Sequence, residues 1–79
     1  MKMIVVLDRG WVFVGDVASD DRAVEITNAL NIRRWGTSKG IGQLASEGKQ
    51  PNTELDPAGT VRAPMTSVVA MIECDPSKW

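Results

Sequence analysis

The sequence predicts a mainly β fold, a small barrel of five to six short strands with one short helix in a long connection. Three observations predict it. Apolar, β-branched runs with alternating faces recur between turn residues. Gly15 interrupts one of these runs, as at a barrel corner. Helical spacing occurs once, at Ile41, Leu44 and Ala45, after a glycine-rich stretch.

Residues 3–7 are apolar and β-branched, as a buried strand is. Residues 8–10 read as a tight turn, with Gly10 suited to positive φ. Residues 11–17 complete a hairpin. Trp11, Phe13, Gly15 and Val17 share one face, and Val12, Val14 and Asp16 the other. Residues 19–22 form a polar turn. Alternation then puts Val24, Ile26, Leu30 and Ile32 inward. Asn28 and Ala29 interrupt it, so two short strands or one bent strand are expected. Thr37 or Ser38 is placed to cap the helix, and Gly48 follows it at a C′ position. Residues 49–59 read as a loop, with a β-turn over 56–59 around Pro57. Residues 60–64 form a strand, 65–66 a turn, 67–74 the last strand and 75–79 a tail. The expected core is Val5, Leu7, Val12, Val14, Val24, Ile26, Leu30, Ile32, Leu44, Val61, Val69 and Met71. This set implies a strongly bent barrel of the SH3-like or Sm-like kind, formed as a single domain over residues 1–79.

A chain of 79 residues buries a small core, which disulfides, a metal or oligomerisation normally reinforces. Cys74 is the only cysteine and there is no histidine, so a homo-oligomer is the expected remedy. Nine basic and ten acidic residues give a net charge of −1. That balance argues against non-specific nucleic-acid binding. The opening apolar run is cut off by Asp8 and Arg9, too short for a secretion signal, and no stretch is long enough to span a membrane. A cytoplasmic location is expected.

Residues 32–42 concentrate the groups that a phosphorylated ligand needs. Arg33, Arg34 and Lys39 are cations. Gly36 and Gly40 let the backbone approach a ligand, Thr37 and Ser38 are hydroxyl donors, and Trp35 offers a flat face to a base. Backbone N–H groups at a glycine-rich turn into a helix attract anions. The spacing matches neither a P-loop nor the dinucleotide fingerprint. The alternative is a loop whose glycines turn the chain and whose cations are solvated. Trp35 alternatively covers the barrel end. Arg62, inside an apolar strand, needs a partner: Glu73 or Asp56 pairs with it, or it joins Arg33 and Lys39 at the ligand. Trp11 reads as core or subunit interface. Trp79 is disordered or anchors a neighbouring subunit.

Without histidine the commonest general base is missing, and no enzyme activity is expected. Asp20 and Asp21 read as a turn, and Cys74 as a buried, inert thiol. Glu54 and Asp56 make no specific cation site. No metal and no cofactor are expected.

Residues 5–29 resemble the first half of an Sm-like domain. Gly10 and Gly15 keep that family's spacing, Asp21 matches its acidic turn, and Val24, Ile26, Asn28 and Ala29 match the next strand with one deletion. Val61, Arg62 and Ala63 stand where the family has Ile-Arg-Gly, and residues 68–72 resemble its last strand. Trp11 replaces the turn arginine, Ala23 stands in place of the RNA-contacting asparagine, and residues 32–59 are an insertion. The resemblance therefore implies a barrel and a ring-like oligomer but does not carry RNA binding. The whole chain is also similar to a small phage and prophage domain of unknown function, through its Arg-Trp-Gly (34–36) and Leu-Asp-Pro (55–57) segments.

The expected function is a non-catalytic ligand-binding protein, phage-encoded, that sequesters a nucleotide or other phosphorylated small molecule such as a host-defence signal. One alternative is an interaction module or inhibitor that binds a host protein through 36–59. The other is an Sm-like RNA binder, which salt-sensitive retention on single-stranded RNA would reveal.

Overall fold

β1 (Lys2–Leu7) and β2 (Val12–Ser19) form the hairpin that the alternating apolar residues dictate, with Ile4 opposite Val14 and Val5 opposite Phe13. β3 (Ala23–Arg34) and β4 (Glu54–Pro64) extend it, and β5 (Val68–Glu73) returns to the free side of β1. The computed structural model, which describes residues 1–79, is thus one antiparallel sheet in the order β4-β3-β2-β1-β5. Its two edge strands, β4 and β5, are joined by only the 3₁₀ turn Met65–Ser67, so the sheet curls to bring the end of β4 near the start of β5. No ladder pairs β4 with β5. The single helix, α1 (Ile41–Glu47), lies in the connection from β3 to β4, and no helix is long and apolar enough to cross a membrane.

The sheet is buried on both faces. Val5, Leu7, Phe13, Val24, Ile26 and Ala29 pack together inside the curl. Ile4, Val12, Val14 and Ile32 lie on the other face, where α1 covers them with Leu44 and Ala45. Apart from Val69, the expected core residues therefore fall into two clusters, with Leu30, Val61 and Met71 only half-buried against them. The helical stripe of Ile41, Leu44 and Ala45 faces the second cluster, and the Gly48 N–H closes the helix on the Leu44 carbonyl at 2.9 Å.

Three expectations are corrected. β3 is the single bent strand of the two alternatives expected, with a bulge at Asn28 (φ 52°), and what is corrected is the single inward face given to Val24, Ile26, Leu30 and Ile32. One extra residue flips every later side chain, so Leu30 and Ile32 serve the helix-covered face while Val24 and Ile26 serve the interior. Gly15 crosses this bend, where a Cβ would stand 2.6 Å from the Ile26 side chain. Residues 54–59 are not a loop but the first half of β4, and residues 56–59 are not a β-turn. Pro57 is tolerated because β4 is an edge strand, and register shifts beside Ala29 absorb the irregularity. Val69 is not core. It is the extra residue of a bulge between Val68 and Ala70, and it is 68% exposed.

The last residues are not a free tail. Asp75 accepts from Ser77 and caps the 3₁₀ turn Pro76–Lys78, and these hydrogen bonds, the side-chain one first, hold its carboxyl below the usual range. The Asp75 N–H and Trp79 Nε1–H both donate to the Ala45 carbonyl, at 3.0 and 3.3 Å. Trp79 thereby packs on the helix-covered cluster of its own chain. Cys74 is buried there, and burial pushes its thiol pKa up. Iodoacetamide is expected to label native Cys74 about tenfold or more slowly than the urea-unfolded chain, because only the exposed thiolate reacts. Equal rates in a mass-spectrometric time course would show that the cluster is open.

Candidate functional site

The segment from Arg33 to Gly40 runs from the end of β3 to the start of α1. Two anchors fix it. Thr53, buried, donates from Oγ1 to the Trp35 carbonyl at 2.6 Å and accepts from the Gln50 N–H at 2.9 Å. Gly36, at φ 66°, lies flat on the backbone of residues 52–53, and a Cβ there would overlap Asn52 and stand 2.5 Å from the Thr53 nitrogen. This glycine serves close backbone packing, whatever else it does.

Two other backbone donors of the segment, not the Gly36 and Gly40 amides expected to hold the ligand, are already engaged. The Ser38 and Lys39 N–H groups converge on Gln43 Oε1, at 3.1 and 2.8 Å. The helix begins later than expected, with Gly40 at the N-cap position, so neither Thr37 nor Ser38 caps it. Gln43 is the third helical residue and reaches back, as the glutamine of a capping box does, to the amides just before the cap. Sequence reading missed Gln43 and Thr53. The spacing from Gly40 to Gln43 was the available signal for the first.

The cations divide into two sorts. Arg33 Nε donates to Asp56 Oδ2 at 2.8 Å, and its Nη1 lies 3.7 Å from Glu54 Oε2. These partners, Asp56 first, raise the already high Arg33 pKa. Arg62 pairs with Glu25 at 2.7 Å and not with Glu73 or Asp56. It faces Glu25 across the β3–β4 ladder, roughly 25 Å along the strand from Arg33, so it does not join the 33–40 segment. Arg34 and Lys39 are exposed and have no carboxylate partner. Trp35 between them is 42% exposed, so it does not serve as a buried plug. Thr37 is half-buried, and Ser38 is exposed.

The surface has one hollow, of about 400 Å³, and it lies elsewhere. Ala18, Asp20, Ala23, Glu25 and Arg62 line it at the β2–β3 turn. The N–H groups of Ala23 and Arg22 hold the Asp20 carboxyl below its usual range, which fixes the turn. No three His, Cys, Asp or Glu side chains are grouped to hold a metal ion. No family model, no curated protein and no solved structure matches the chain.

Proposed function

We propose that this is a non-catalytic ligand-binding protein whose ligand is a nucleotide or another small phosphorylated molecule. The observation that carries the reading is the pair of uncommitted cations, Arg34 and Lys39, on either side of an exposed Trp35 in an anchored segment. An indole face stacks on a base, and two cations neutralise phosphate. Arg33 and Arg62, already paired with carboxylates, supply less. A phosphate that used the Ser38 and Lys39 amides would displace the Gln43 side chain.

The reading extends to the whole molecule. The 4-3-2-1-5 strand order and the three-residue turn between the edge strands support an SH3-like or Sm-like barrel. The small core and the two unpaired edges support a homo-oligomer. On the resemblance of residues 34–36 and 55–57 to a phage domain, the ligand would be a host-defence signalling nucleotide held in the host cytoplasm, with neither nucleic acid nor membrane as a partner.

Lys39→Ala tests it. Loss of one charge-assisted phosphate contact should weaken nucleotide binding in calorimetry by about tenfold or more. The Tm should stay unchanged, since Lys39 is exposed. Unchanged affinity for the compound that co-purifies in native mass spectrometry would remove the site.

A second reading, an interaction module acting on a host protein through 36–59, is favoured by the open outer edge of β4 over 54–59. An extended partner strand adds at such an edge. Shortening residues 49–52 while keeping β4 separates the two readings, since edge pairing survives that change.

A further inference from the structure

Trp11 is the most exposed of the three tryptophans. Phe13 covers one face of its indole, with ring centroids 6.1 Å apart and planes 1° from parallel, yet the residue stays 55% exposed. It is not isolated. The Leu7 N–H donates to the Trp11 carbonyl at 2.8 Å on one side of β1, and Val68 pairs with Leu7 on the other. Trp11 and the bulged, exposed Val69 therefore sit at the same end of the sheet, about two strand spacings or ~10 Å apart. Two of the four large exposed apolar side chains therefore lie at this end of the sheet.

The adjoining turn supplies the charges. Asp8 and Arg9 are adjacent, exposed and opposite in sign, and neither has an ion-pair partner within the chain. Their charges cancel, so the patch offers no net field to an anionic ligand. Across a two-fold axis they are self-complementary, because Asp8 of one copy meets Arg9 of the other, and the reverse. A stable pair needs about 500 Å² from each copy, roughly a tenth of this chain's 4882 Å².

We propose that two copies of this chain pair face to face through this patch, with Trp11 and Val69 at the centre and reciprocal Asp8–Arg9 ion pairs at the rim. The proposal rests on the oligomeric part of the function above and names its interface. It does not depend on the ligand.

Sedimentation equilibrium on the full chain tests it with three variants. Arg9→Asp puts like charges across the axis and should weaken self-association by about tenfold or more. The exchange Asp8→Arg with Arg9→Asp restores complementarity and should restore association. Trp11→Ser should abolish it, and circular dichroism checks that each variant keeps its fold. If Trp11→Ser unfolds, the charge pair alone decides. An oligomer indifferent to all three changes overturns this interface and leaves oligomerisation itself standing. A wild type that stays monomeric overturns both, and ligand calorimetry then judges the binding function separately.

Discussion

Leu44→Ala is expected to remove about 3–5 kcal/mol of stability, the cost of deleting a fully buried leucine and leaving a cavity. A domain of this size has about 4–12 kcal/mol in total, so the loss approaches unfolding. The helix explains the severity. α1 has seven residues, no side-chain cap and Gly42 in its first turn, so it is too short to persist without tertiary packing. Leu44 is its one fully buried large side chain, set among Ile4, Val14 and Ile32. Its removal uncovers a whole face of the sheet as well as creating a void. Thermal unfolding should show a Tm lower by about 15–25 °C. Leu44→Met, which keeps the volume, should cost less than about 1.5 kcal/mol. A Tm of Leu44→Ala within about 3 °C of the parent would mean that the helix contributes little to the core.

Gly36→Ala is expected to cost about 2–4 kcal/mol, from a positive φ that L residues rarely adopt and from overlap with the backbone of residues 52–53. Neither term relaxes easily, because Thr53 is buried and bonded on both sides. The change should also loosen the Trp35 carbonyl from Thr53 and shift Trp fluorescence. Gly42→Ala is the counter-experiment. A Cβ there meets open space, so alanine should stabilise the helix by up to about 1 kcal/mol. If both glycines tolerate alanine, the anchored geometry of the segment is wrong.

The contrast shows what the sequence made legible. A glycine-rich stretch announces unusual backbone, but sequence does not say whether the space beside each glycine holds a ligand, another strand or solvent. Gly36 turned out to face the chain itself. The strands of β1, β2 and β5 were legible because alternation and β-branching are local. So was α1, from its apolar stripe and Gly48. The start of β4 was not, because Asp56, Pro57 and Gly59 carry turn chemistry that an irregular edge strand also accommodates. The partner of Arg62 was hidden for another reason. Register across β3 and β4 depends on how many residues bulge, and one extra residue at Asn28 decides which side chains meet. Exposed Val69 misled by the same rule, since a bulge breaks the alternation that marked it as core.

The order of strands also fixes the order of assembly. β1 precedes the other four strands, yet one of its two neighbours is the last of them, and Ile4 must wait for Ile72. Until then the chain can build the β1–β2–β3 meander by short hairpin closures and add β4 through the long connection that carries α1, but the second edge of β1 stays open. Closing that last ladder joins opposite ends of the polypeptide, the slowest kind of contact to form by chain diffusion. Folding should therefore end in one late cooperative step, and the β1 amides that face β5, with those of β5 itself, should be the last to gain protection in a pulsed hydrogen-exchange experiment.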